Sequence, residues 1–251
     1  MTLFGHRVPM LASLIVWAAL WELAGRMHVS FLLPPLSSVF VAMVEIVPTP
    51  TFLSALWVTA KAFVIGNVLA IALGVPLGLL MGRSVIADRL FLPWVNLFLS
   101  APLTALVPVI MVLFGLGQTT IVLTVILFAI WIIVLDTRAG VHAIAPSLVE
   151  MAFSFGASPL QAFWRIYFWA ALPEILAGVR LGVIRAVKGV IIGQLLVTIV
   201  GFGALFETYG SQFQMEEFWA ALVILFAFAF ALAEALARLE RRVDYYAASR
   251  S

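Results

Sequence analysis

Six long apolar runs alternate with short polar stretches along this chain, over residues 8–24, 60–81, 92–114, 119–135, 175–200 and 218–236. Within each run the apolar residues are continuous rather than alternating, which excludes a lipid-facing β-barrel. A segment in lipid must satisfy its own backbone hydrogen bonds, and that leaves helices. About 20 apolar residues span a bilayer. The first run follows Arg7. It exceeds the roughly 7–15-residue apolar core of a secretory signal, so it reads as a retained first helix. The pattern predicts an all-α integral membrane protein with about six transmembrane helices in a single domain over residues 1–251.

Composition agrees: 65% of the residues are hydrophobic and 10% are charged, where a soluble domain has about 25% charged. The basic residues sort by side. With the N-terminus inside, Arg7, Arg83, Arg89, Arg138, Arg165, Arg238, Arg241, Arg242 and Arg250 are cytoplasmic. Arg26 faces out and Lys61 lies at the outer end of the second helix, so both termini are placed inside. The net charge of +2 therefore reports topology, not nucleic-acid binding. Cysteine is absent, which removes disulfides, thiol nucleophiles and Cys-ligated metals.

The connecting stretches carry their own signals. In the first outer loop, Ser37 or Ser38 is placed to cap a short helix over residues 39–47, with Pro48 and Pro50 ending it. Gly115-Leu116-Gly117 suits a tight outer turn. Residues 201–217 read as the last outer loop and carry Glu207, Glu216 and Glu217. Gly66, Gly74, Gly78 and Gly82 form a small-residue series suited to close helix packing. Pro76, Pro102 and Pro108 are expected to kink the second and third spans.

Catalytic patterns are missing. The chain's two lysines, Lys61 and Lys188, do not complete a phosphate-binding Walker loop. His6, His28 and His142 are scattered and form no metal pair on a helix face. Ser100 and Ser154 have no intramembrane histidine as a base. No catalytic residue, resident metal or bound cofactor is expected.

Charge inside the membrane is sparse. Arg180, Arg185 and Lys188 fall within an arc of roughly 140° on the fifth span. One reading is a cationic strip beside a path for an anionic solute. The other places all three near the cytoplasmic end, snorkelling to the surface. Gln194 and Thr198 continue that helix and either line a path or bond between helices. Ser100, Thr104, Arg185, Lys188 and Gln194 are the candidate path residues. Asp136 is read as a boundary residue paired with Arg138, and Glu22 and Glu234 as interfacial.

One charge-bearing amphipathic segment stands outside these runs, over about residues 147–173. Ser147 is placed as an N-cap, Gly156 breaks the helix, and Ser158-Pro159 starts a second one over about residues 160–168. A short, rigid cytoplasmic helix is a docking surface for a partner.

This segment resembles the cytoplasmic signature of ABC importer permeases: Glu-Ala-Ala, three residues, Gly, nine residues, Ile, one residue, Leu-Pro. Glu150-Met151-Ala152, Gly156 and Ile166 are in register, with Phe168-Trp169 in place of Leu-Pro, and Leu172-Pro173 follows. Gly156-Ala157-Ser158 and Gly178-Val179-Arg180 are similar to the nitrate/sulfonate/taurine-type branch. So are Leu33-Pro34-Pro35, the run 74–78, Phe114-Gly115-Leu116-Gly117, Asp136-Thr137-Arg138-Ala139-Gly140 and Gly201-Phe202-Gly203. That branch often has Ala-Glu in the fifth span, where this chain has Gly193-Gln194.

The resemblance implies a type I importer permease in a bacterial cytoplasmic membrane. It implies a second permease copy, two ATPase subunits that hold the ATP and magnesium, and an extracytoplasmic binding protein. Coupling to the ATPases would fall to Glu150, Ala152, Gly156, Ala157, Ser158, Pro159, Leu160, Gln161, Trp164 and Arg165. The resemblance implies cargo such as nitrate, sulfonates, taurine, bicarbonate, aromatic acids or vitamin precursors, and the cationic strip on the fifth span tilts the expectation to a small anion of the sulfonate, nitrate or carboxylate class. The rival readings are a self-sufficient secondary transporter or channel, and a membrane scaffold that transports nothing.

Overall fold

The computed structural model describes the backbone of residues 2–3, 6–7, 10–197 and 199–248, with side chains from 12 to 197 and at most positions of 199–234. Val8, Thr198 and Arg250 lie outside the described residues, as do the side chains of Arg7, Arg238, Arg241 and Arg242. Apart from a two-residue ladder, β1 (Thr2–Leu3) with β2 (His6–Arg7), the described elements are helical.

Helices overlie all six apolar runs. They are α1 (Met10–Arg26), α3 (Pro50–Arg83), the pair α4 (Val85–Ser100) and α5 (Val107–Phe114), α6 (Gln118–His142), α10 (Leu172–Leu196) and α12 (Met215–Ala248). By length and composition alone, α3 and α6 are apolar enough to cross a membrane, and a third span arises if α4 and α5 count as one. Those two meet at a 100° bend. Pro102 sits in the break and Pro108 at the start of α5, so the expected kink is a full corner. Pro76 and Pro93 lie inside continuous helices.

α6 is the central element, packed between α3 and α10. The glycine series of α3 explains how. A Cβ on Gly66 would stand 2.5 Å from Val125, on Gly78 2.6 Å from Thr137, and on Gly82 2.4 Å from Val141. α10 repeats the device on the other side, with Gly178 against Asp136, Gly182 against Ile133 and Gly189 against Phe128. Lipid offers no hydrophobic gain for helix association, so close backbone approach supplies the packing instead. The outward faces remain apolar, including Trp17, Trp57, Trp94 and Val112, as lipid contact requires.

Several local expectations are corrected. α2 (Leu36–Ile46) forms, but Pro35 is its N-cap and no serine side chain caps it. Glu22 of α1 does so instead. Its carboxylate accepts the Ser37 N–H at 2.9 Å, the Ser37 hydroxyl at 2.8 Å and Arg26 Nε at 2.6 Å. An anion at a helix N-terminus complements the positive end of the dipole. Pro50 opens a helix rather than ending one: Thr49 caps α3 and Pro50 occupies its first position, where a missing N–H costs nothing. As a result α3 starts ten residues before the apolar run does. The supposed last outer loop contains α11 (Phe202–Ser211). Phe202, Leu205 and Phe206 are buried there, with Phe202 edge-on to Phe52 at 5.5 Å.

Candidate functional site: the cytoplasmic helix and the polar groups of the bundle

The cytoplasmic segment is built from backbone capping. α7 (Pro146–Ser154) begins at Pro146 with Ala145 as N-cap, so Ser147 is not the cap expected of it. α7 ends with Gly156 at φ +80. There the Gly156 N–H donates to the Phe153 carbonyl at 2.9 Å and the Ala157 N–H to the Ala152 carbonyl at 3.0 Å. These are the two bonds of a Schellman stop, which favours glycine because L side chains resist that backbone. Ala152, Gly156 and Ala157 are therefore a bend.

The next turn, α8 (Pro159–Ala162), starts with a capping box. Ser158 Oγ accepts the Gln161 N–H at 3.3 Å, and the Ser158 N–H donates to Gln161 Oε1 at 2.8 Å. The helix continues through a π turn (Phe163–Tyr167) into α9 (Phe168–Ala170). Ala152 and Ala162 are buried, while Glu150, Ser158, Pro159, Leu160, Gln161, Trp164 and Arg165 are exposed. The Glu150 carbonyl accepts the Ser154 hydroxyl at 2.9 Å. Phe155, absent from the sequence-based candidates, is 87% exposed at the crest of the bend. An aromatic directly before a glycine stop was the available signal.

This segment is tied to the bundle by Arg83, the last residue of α3. Its guanidinium donates to the Pro159 carbonyl at 3.2 Å and lies 5.6 Å from the Tyr167 ring centre. Nearby, both arms of the Arg138 guanidinium hold the Asp88 carboxylate, one of them at 2.7 Å. Arg138 is thus paired with Asp88 on α4, not with Asp136 as the sequence suggested. Asp136 lies over Gly178, facing α10.

The candidate path residues fall into two groups. Ser100 ends α4 and Thr104 lies in the 3₁₀ turn Leu103–Leu106; both are exposed and flank the bend. On α10, Arg185 is half-buried and Lys188 exposed. At 1.5 Å per residue they stand about 20 and 24 Å along the helix from Leu172. Arg180 is about 12 Å along. Gln194 is fully buried. Its Nε2 donates to Thr59 Oγ1 at 2.8 Å, and its Oε1 accepts the Gly203 N–H at 3.0 Å. It straps α10 to α3 and α11. Among the described residues no group of three or more His, Cys, Asp or Glu is placed to hold a metal.

A polytopic helical bundle with a capped, outward-facing cytoplasmic helix defines the class: a transport permease core. Residues 74–245 match the family described as "Binding-protein-dependent transport system inner membrane component". The chain belongs to that family and is the permease subunit of an ABC importer. It is 28% identical over 236 residues to the taurine transport system permease protein TauC of Escherichia coli (strain K12), covering 92% of this chain and 85% of that protein. It is also 28% identical over 207 residues to the formylaminopyrimidine transport permease protein ThiX of Halalkalibacterium halodurans, covering 82% of each. Among solved structures, an inward-facing form of the MetNI methionine ABC transporter aligns with a TM-score of 0.60 at 20% identity, covering 77% of this chain and 96% of that one. That likeness establishes a type I importer permease fold. Permeases of this family are transport components that work with an ATPase and a substrate-binding protein.

Proposed function

We propose that two copies of this chain form the translocation path in a bacterial cytoplasmic membrane. Two ATPase subunits holding ATP and magnesium dock beneath, and a binding protein delivers cargo from outside. The observation that carries this reading is the bend at Gly156, which leaves Phe155 exposed at the end of α7 and Leu160 and Trp164 exposed on the capped helix and π turn that follow. Exposed aromatics on a rigid support are the type of anchor that dominates protein interfaces.

The cargo we infer is a small anion of the sulfonate, nitrate or carboxylate class. Arg185 and Lys188, high on α10, supply the positive charge for it, with Ser100 and Thr104 contributing hydroxyls at the bend. The relative named for taurine, a sulfonate, supports the same chemistry.

Purification of the chain from its native membrane, followed by identification of co-purifying ATPase, tests the assembly. Gly156→Pro is expected to abolish ATPase association and uptake together. Association and uptake both surviving that substitution would sink the reading, as would transport in liposomes without any ATPase.

A further inference from the structure

The cytoplasmic helix is joined by the chain to α6 and α10, and not to α3. Arg83 is the directional polar link from α3 to that helix, and it grips the segment near both ends. The Pro159 carbonyl it holds belongs to the first residue of α8, and the Tyr167 ring it covers closes the π turn. The Phe163 N–H bonds to both the Pro159 and Leu160 carbonyls. Pro159 thus keeps a lone pair free for the guanidinium.

Leu79 of α3 joins an apolar cluster that Tyr167 and Phe168 also pack against. Such packing is non-directional. An open cleft of about 560 Å³, lined by Pro76, Leu80, Arg83, Ser84 and Phe163, runs beside the link. Arg83 thus supplies the direction that the packing lacks. The far end of α3 carries Thr59, which meets Gln194 and, through it, α11. A displacement at residues 159–167 that pulls on Arg83 would act along a 34-residue helix about 51 Å long.

We propose that Arg83 is the positioning residue that transmits displacement of the cytoplasmic helix to α3, and so to the outer end of the bundle. This inference rests on the coupling reading given above. Arg83 is exposed but spends its guanidinium on its own chain, so retention of the ATPase by its variants separates a positioning role from a docking one.

The test uses the assembled transporter in proteoliposomes, comparing wild type with Arg83→Ala, Arg83→Lys and Tyr167→Leu. Each variant is assayed for retained ATPase subunit, ATP hydrolysis and uptake. Arg83→Ala is expected to retain the ATPase and its hydrolysis while uptake per ATP falls about fivefold or more, the lower range of a typical coupling free energy. Arg83→Lys, which still donates to Pro159, is expected to recover most of that ratio, and Tyr167→Leu to lose part of it. An unchanged uptake-to-ATP ratio in Arg83→Ala overturns this proposal while leaving the coupling reading intact. Loss of the ATPase subunit from Arg83→Ala and Arg83→Lys alike assigns the residue to docking and also overturns it. A wild-type chain that transports with no ATPase attached overturns the coupling reading itself.

Discussion

Replacing Gln194 with leucine separates a strap from a path-lining residue. The amide is fully buried and both of its polar atoms are engaged. Leucine keeps the bulk and removes both bonds. Thr59 can turn its hydroxyl to a carbonyl one turn back in α3, so its loss is small, about 0.6 kcal/mol for an average interhelical bond in a membrane protein. The Gly203 N–H has no such alternative. It sits where a Cβ on Gly203 would be 2.1 Å from the Val197 carbonyl, too crowded for the backbone to turn away. A buried donor left unpaired costs about 1–3 kcal/mol. The sum is about 2–4 kcal/mol, or roughly 4–16 °C in the melting temperature of a chain this size. The measurement is thermal unfolding of the purified transporter beside its uptake KM. A Gln194→Leu variant that melts with wild type but shifts KM would refute the strap and return Gln194 to the path. Thr59→Val should remove only the smaller share, and the double variant should show the two changes to be non-additive.

Asp88→Asn leaves the partly buried Arg138 guanidinium without its counter-charge. A loss of about 1–2 kcal/mol is expected, discounted from a fully buried pair because both side chains retain some exposure. Exchanging the pair, Asp88→Arg with Arg138→Asp, should recover part of that melting temperature. Phe155→Ala should weaken ATPase association about tenfold or more in a binding titration, with the unfolding temperature of the permease unchanged. Gly82→Leu should cost about 1–3 kcal/mol by driving α3 from α6 at Val141. Gly117→Ala, with open space around it, is the control and should lose only the modest preference of a helix N-cap for glycine over alanine, below about 1 kcal/mol.

Helices were legible in the sequence wherever hydrophobicity alone decided them, and obscure wherever pairing across the fold did. The series Gly66, Gly74, Gly78 and Gly82 read as packing, and it is the seam against α6. α11 was hidden although Phe202, Leu205, Phe206 and Tyr209 follow helical spacing, because three nearby glutamates gave the stretch the look of a loop. Proline misled at Pro50, since a ring that stops one helix is equally suited to start the next. The cap of α2 was unreadable in principle: Glu22 lies 15 residues from Ser37, and only the folded loop brings them together. The same holds for Arg138, whose nearest carboxylate in sequence, Asp136, lost to Asp88, 50 residues away. In the cytoplasmic segment the bend and the Ser158 cap were legible because both are local, whereas the grip of Arg83 was not.

The position of α6 gives these contacts a mechanical order. Glycine seams lock α6 to α3 on one side and to α10 on the other, and both seams put backbone against side chain without slack. Close-packed interfaces of this kind move as bodies rather than deform. The chain joins the cytoplasmic helix to α6 and α10, and on the proposal above Arg83 adds a direct link to the end of α3 beside the α6 seam. The corner at Pro102 lies outside that block and is bounded by proline on both sides of the 3₁₀ turn. It is tied back by Asp88 and Arg138 at the cytoplasmic end of α4, and further along by Phe98 stacked on Trp131 of α6 at 4.3 Å and by the cluster of Met81, Val95 and Val134. Movement of the three-helix block against this corner would change the distance from Lys188 on α10 to Ser100 and Thr104. Thiol pairs placed at 100 and 188 in this cysteine-free chain report that distance directly. Cross-linking yield should differ between the nucleotide-free and ATP-trapped transporter, and equal yield in the two states would show that block and corner move together.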